Sequence, residues 1–133
     1  MTSIASDIVK INNSSGALFN FLGDLNNLEK LMPEQVIKWK STENDCSFTI
    51  KGMADLSLII SQKIPAKRIV INSGINSKIR FEMLLDLTEI SNDSTDVRFT
   101  INAELNPIMK MMVQTPLLNF LNILVQKLKD IHS

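Results

Sequence analysis

The stretch KIRFEMLLDLT, at residues 78–88, decides the fold of this chain. Its apolar side chains fall on every second residue, and charged or polar side chains fill most of the positions between them. This alternation is typical of a strand that turns one face to a core and the other to water. A second stretch, VRFTINAEL at residues 97–105, has the same alternation and follows a polar loop at residues 91–94. The two stretches therefore predict neighbouring antiparallel strands.

The alternation of apolar and polar residues begins well before these two stretches. Residues 36–41, 46–51, 54–61 and 67–72 each read as a strand. They are separated by the polar turn at residues 42–45, by Gly52 and by Pro65. The sequence therefore predicts about six consecutive strands between residues 36 and 105.

The two ends of the chain predict a different arrangement. Residues 3–11 read as a strand, and residues 12–15 supply the short oxygens of a helix N-cap. A first helix through Leu22 would end at Gly23, and a second, with a capping box from Asn26 to Glu29, would end before Pro33. Residues 106–107 read as the start of a long helix that runs to about Ile131.

This order of elements predicts an α+β fold. A meander with one apolar face needs a cover, and the C-terminal helix is the largest element available. We therefore expect a single domain over residues 1–133, in which a curved antiparallel sheet of about seven strands wraps around that helix.

Composition and charge exclude several classes of function. Lys and Arg total 14 and Asp and Glu total 14, so the net charge of zero does not favour nucleic-acid binding. One Cys and one His are too few for a structural zinc site, and a lone cysteine forms no internal disulfide. No signal peptide and no run of 18 apolar residues is present, so we expect a cytoplasmic protein without a membrane-spanning helix.

Two local motifs resemble a known superfamily. LFNFLGD at residues 18–24, leading to Leu31-Met32-Pro33, and AELNP at residues 103–107 are similar to segments of the START/Bet v1-like (SRPBCC, polyketide cyclase/dehydrase and lipid-transport) proteins. The resemblance covers essentially the whole chain. It implies the helix-grip fold, with a hydrophobic cavity between the sheet and the C-terminal helix. Members bind lipids, quinones, polyketides or other apolar molecules, and some are enzymes.

The inward-facing residues are the candidate ligand-binding set. They could form a packed core, but the resemblance favours a cavity, and apolar side chains are what line such pockets. The candidate cavity residues are Leu56, Leu58, Ile60, Ile69, Ile71, Phe81, Met83, Leu85, Phe99, Ile101, Leu118, Leu121 and Val125.

No catalytic group stands out. His132 is next to the end of the chain, where we expect it to be exposed and inert, and Cys46 falls on the apolar side of its strand. Asp24 is better explained as a helix cap than as an acid or base. Trp39 reads either as a core aromatic or as a cavity wall. The sequence predicts neither a cofactor nor a metal.

The apolar face of the C-terminal helix changes direction part of the way along the helix. Its apolar face from Leu117 onward does not continue into residues 108–113, and Pro116 lies at the change, which predicts a kink or a break. A straight helix cannot place both apolar sets on one sheet. Met109, Met111 and Met112 are therefore candidates for a gate over the cavity or for a contact with a second subunit, unless they pack as ordinary core.

Three functions remain open at this point. The first is non-enzymatic binding or transport of an apolar or amphipathic small molecule, such as a lipid, quinone or polyketide-like compound. The second is a cyclase- or hydrolase-like enzyme that uses a cavity carboxylate. The third is a protein-interaction module with a filled core. A monomer or weak homodimer fits each of them.

Overall fold

An antiparallel sheet and one long helix form the body of the protein. The computed structural model describes residues 1–75, 77 and 79–132. The strands are β1 (Thr2–Ala5), β2 (Val9–Ile11), β3 (Val36–Ser41), β4 (Asp45–Ile50), β5 (Ala54–Ile64), β6 (Arg68–Ser73), β7 (Phe81–Ser91) and β8 (Ser94–Ala103). The helices are α1 (Ser15–Leu22), α2 (Leu25–Leu28) and α3 (Pro107–His132), with a 3₁₀ turn at Glu29–Leu31.

The sheet has eight strands in the order β1-β8-β7-β6-β5-β4-β3, with β2 also paired to β8. The predicted α+β class and meander are confirmed, and the strand count is eight because the first predicted strand is interrupted. Residues 6–8 leave the ladder where the hydroxyl of Ser6 accepts a hydrogen bond from the N–H of Phe99 (3.0 Å). The N–H of Asp7 donates to Asn122 on α3 (2.8 Å), which draws this segment toward the helix.

The strand pair that decides the fold has the expected register. Met83 lies opposite Ile101, and Leu85 lies opposite Phe99, so the apolar sets of β7 and β8 share one face. All four of these side chains are buried. The predicted strand over residues 78–88 begins later, at Phe81; Lys78 lies outside the described residues.

Two irregularities alter the simple alternation. The register of β5 against β6 shifts between Ile60 and Gln62, so the apolar side of β5 ends at a half-buried Ile60. The register of β3 against β4 shifts between Ile37 and Lys40, and Lys38 there has a φ of 56°. A bulge of this kind on an edge strand disturbs the ladder that a further strand would need.

Local side-chain caps explain where the short helices begin. The hydroxyl of Ser14 accepts from the N–H of Ala17, and the carboxylate of Asp24 accepts from the N–H of Asn26 (2.9 Å). The predicted capping box from Asn26 to Glu29 is wrong, because α2 already begins at Leu25 with Asp24 as its cap. Gly23 does end α1, but with a right-handed φ of −75°.

The C-terminal helix α3 covers the sheet with its second half. The helix is continuous through Pro116, so of the predicted kink or break, the break does not occur. Leu118 is exposed, contrary to the prediction, because it lies at the margin of the buried face, about 100° around the helix from Leu117, directly after the uncovered residues 107–116. The buried face consists of Leu117, Phe120, Leu121, Leu124, Val125 and Leu128.

The length and composition of α3 would also allow it to cross a membrane. An 18-residue window within it reaches a mean hydropathy of 1.4. Length and composition alone do not distinguish such a helix from the core helix of a globular protein. In this structure the buried face of α3 packs on the sheet, as expected for the core helix of this fold.

Candidate functional site

The space between the sheet and α3 is almost completely filled. The internal void has a volume of about 10 Å³, which is at the lower limit for a single water molecule. No polar surface lines it. Its walls are formed by Leu28, Met32, Phe48, Leu56, Leu58, Phe81, Met83, Ile101, Leu117, Phe120 and Leu124.

The predicted cavity residues divide into three groups. Five line this void: Leu56, Leu58, Phe81, Met83 and Ile101. Another six are buried in the surrounding core, away from the void: Ile69, Ile71, Leu85, Phe99, Leu121 and Val125. The remaining two, Ile60 and Leu118, are half-buried and exposed respectively.

A much larger groove lies on the surface beside α3. Its volume is about 390 Å³, and most of its lining is apolar. It runs between α3 near Pro116 and the β4–β5 turn, with the segment before β3 at one side. Its lining residues are Pro33, Gln35, Ile50, Lys51, Gly52, Met53, Met112, Val113, Pro116, Asn119, Phe120 and Ile123.

Phe120 lines both the groove and the internal void. Its side chain is 7% exposed and contributes to the walls of both spaces. The ring stacks on Phe48 with centroids 6.5 Å apart, and Phe48 stacks in turn on Trp39 at 5.1 Å. A rotation of Phe120 would therefore connect the groove to the interior and disturb this row of aromatic rings.

Trp39 is held at the sheet edge by hydrogen bonds. The indole N–H donates to the hydroxyl of Ser41 (2.9 Å), which donates to the amide oxygen of Asn26 (2.7 Å). Trp39 is half-buried and packs against the core. It lines neither the groove nor the void, so it is not the cavity wall considered above.

The one cysteine is a buried thiol with a strongly raised pKa. Cys46 is buried, and burial raises the pKa of its thiol to about 12, with the charge of Asp45 as a second cause. A thiol that holds its proton so firmly is a poor nucleophile. Among the residues that the structure describes, no three His, Cys, Asp or Glu side chains are grouped to hold a metal ion.

Two further candidates have structural roles. Asp24 caps α2, as the sequence predicts. His132 was expected to be exposed, but it is half-buried: its ring packs edge-on against Phe21 at a centroid distance of 4.8 Å. Its Nδ1 atom lies 3.0 Å from the carbonyl oxygen of Leu128, one turn earlier in the same helix. The contact with Phe21 on α1 ties the last turn of α3 to the body.

The groove and Phe120 were missed by the sequence analysis. Phe120 lies about 60° from Leu117 around the helix, on the side away from Leu118 and Val125, so the predicted apolar face did not single it out. The groove offered no signal in the sequence. It is formed by a turn, a loop and a helix that are far apart in the sequence.

The first half of α3 is apolar and uncovered. Residues 107–116 include no buried side chain; Met109 and Val113 are half-buried. Ile108 is 72% exposed, Met111 85% and Met112 70%. Of the three methionines predicted to form a gate or an interface, Met112 alone lines the groove.

Comparisons with known proteins identify the fold. No family model and no curated protein matches the sequence. Among solved structures, the chain is similar to the protein XoxI from Bacillus cereus, with a TM-score of 0.79 and 9% identity over 99% of this chain and 96% of that one.

Two other solved structures support the same assignment. A START superfamily protein from Mycobacterium smegmatis has a TM-score of 0.77 and 11% identity, covering 98% of this chain and 96% of that one. The Aha1 dimer from Colwellia psychrerythraea has a TM-score of 0.66 and 20% identity, covering 99% and 96%. The protein therefore has a START-like helix-grip fold, as the resemblance of its sequence implied.

Proposed function

We propose that the protein binds an apolar or amphipathic small molecule, of lipid, quinone or polyketide type, without covalent chemistry. The observation that carries this proposal is the 390 Å³ groove, which shares the aromatic side chain of Phe120 with the wall of an apolar void. The volume of the groove falls in the range of small-molecule sites, about 300–1,000 Å³.

The lining of the groove favours a ligand with an apolar body and one polar end. Ile50, Met53 and Val113 offer apolar contacts. Lys51 is the charged residue of the lining, and it lies beside the neutral Gln35. A polar or anionic end of the ligand would be placed at Lys51, and the apolar part would lie toward Phe120.

Entry into the interior requires side chains to move. A void of about 10 Å³ accommodates no ligand, so deeper binding would need Phe120 to turn outward. Met32 and Met83 also line the void, and methionine adapts readily to a new neighbour. The proposed site is thus a surface groove that extends inward only when it is occupied.

Titration with 8-anilinonaphthalene-1-sulfonate tests the proposal. This dye has an apolar body and an anionic end, and we expect it to bind the folded protein at a near-equimolar ratio. Val113→Trp fills the groove and should weaken binding by about tenfold or more. The control is Ile90→Trp, because Ile90 is 50% exposed and outside the groove.

Equal dye affinity in the two variants would refute the groove as the binding site. Thermal melting of both variants shows whether a change in dye binding reflects a loss of folding.

We also propose a cytoplasmic location, because the single cysteine is buried and needs no oxidising compartment.

A further inference from the structure

The exposed part of α3 carries a continuous apolar stripe. Ile108, Met111, Thr115 and Leu118 follow the 3-4-3 spacing that aligns side chains on one side of a helix. Met112 lies next to this line and widens it. Lys110 is about 160° around the helix from Met112, on the opposite face.

The stripe ends where α3 joins the body. The next position of the same spacing is Asn122, whose side chain accepts a hydrogen bond from the N–H of Asp7 (2.8 Å). The sheet-facing stripe begins at Leu117, in a different direction. Residues 108–118 therefore present an apolar strip about 16 Å long that the fold itself does not cover.

We propose that this stripe is the contact surface of a homodimer, in which the α3 helices of two copies pair along residues 108–118. The spacing is that of helix-pairing seams, where an identical helix is the simplest complement. The pairing stripe contains no charged residue, so a two-fold arrangement brings no like charges together along it.

The exposed area agrees with a weak dimer. The strongly exposed side chains of the stripe leave on the order of 500 Å² of apolar surface in water, which is at the upper end for a monomer. A standard interface buries about 800 Å² from each partner. The stripe supplies more than half of that area, so we expect a reversible association.

Charge argues against a bilayer as the occupant. Helices that bind membrane surfaces are rich in Lys and Arg on their polar face. Between residues 107 and 126 the helix has one basic residue, Lys110. A protein surface of the same neutral character is the better match.

Sedimentation velocity of the full chain, from about 10 μM to 1 mM, tests this proposal. We expect the dimer fraction to rise with concentration. Met111→Glu should weaken the dimer by about tenfold or more, because it places a charge in each copy of the stripe. Lys110→Glu, one residue away and about 100° around the helix from Met111, is the matched control and should leave the dissociation constant within about twofold.

Both variants should melt near the temperature of the unmodified protein, since both residues are exposed. A monomer at all concentrations would overturn the proposal. So would a dimer that Met111→Glu leaves unchanged. If the monomer instead floats with phosphatidylcholine vesicles, the stripe binds a bilayer and the homodimer is wrong. Val113→Trp leaves this stripe unaltered, so dimerisation and groove binding are tested independently.

Discussion

Replacing Phe120 by alanine should separate the two roles of this side chain. Phe120 is 7% exposed, so the truncation removes a nearly full set of core contacts, including the stacking on Phe48. Burial of a phenylalanine ring contributes about 1.5–3 kcal/mol, and truncations of this type cost about 3–5 kcal/mol with the cavity included. Since the space left behind opens into the groove, side chains such as Met112 can relax into it, and we expect about 3 kcal/mol.

The same truncation should improve ligand binding. Without the ring, the groove of about 390 Å³ and the internal void become one continuous apolar site. We expect Phe120→Ala to bind 8-anilinonaphthalene-1-sulfonate several-fold more tightly than the unmodified protein. A less stable protein would thus be a better binder.

Leu124→Ala is the matched control for this experiment. Leu124 is fully buried on the same face of α3 and lines the void, but it does not reach the groove. Its truncation should cost about 2–5 kcal/mol without improving dye affinity. Urea denaturation gives the two stabilities, and dye titration below the unfolding transition gives the two affinities. If both variants bind the dye equally, Phe120 is not the barrier between groove and interior.

Three further predictions concern buried side chains. The thiol of Cys46 should react with 5,5′-dithiobis(2-nitrobenzoate) at pH 8 at least about a hundredfold more slowly in the folded protein than in the urea-unfolded protein. The reason is that burial raises the pKa of this thiol to about 12. Equal rates in the two states would show that the thiol is accessible. The proton is held more tightly in the folded state, so this group's contribution to stability falls as the pH rises from about 9 toward 12, and Cys46→Ala should remove that part of the pH dependence. Phe99→Ala should lower the free energy of unfolding by about 3–5 kcal/mol because Phe99 is fully buried. Phe81→Ala should lower it by less, because Phe81 is half-buried at the start of β7. An equal loss for the two variants in urea denaturation would contradict this ranking.

The alternation of apolar residues predicted the sheet well, for a physical reason. A strand has a period of two, so Met83, Leu85, Phe99 and Ile101 were bound to share a face once their segments were recognised as strands. The short polar caps were also readable from the sequence, although the carboxylate of Asp24 rather than Asn26 begins α2. Short-range patterns of this kind depend on neighbouring residues alone.

The site was less predictable, because it depends on volumes and distant contacts. Apart from Leu118, Ile60 and Phe120, the sequence predicted the inward-facing side chains, but it did not predict that they would fill the space to about 10 Å³. The bulge after Ile60 depends on the pairing of β5 with β6, which no local pattern announces. The groove beside Pro116 joins residues 33–35, 50–53 and 112–123, and such an assembly is visible only in three dimensions.

The position of α3 at the end of the element order has a consequence for how the chain folds. The sheet can be completed only when β8 is available, because β1 and β2 pair with it across about 90 residues of chain. The apolar face of the sheet is then covered by a helix that is synthesised after all the strands. Contacts of such long range are closed slowly, and during synthesis the uncovered strands have no internal partner for their apolar side. Between the completion of β8 and the docking of Leu117–Leu128, the whole apolar face of the sheet is therefore open to aggregation.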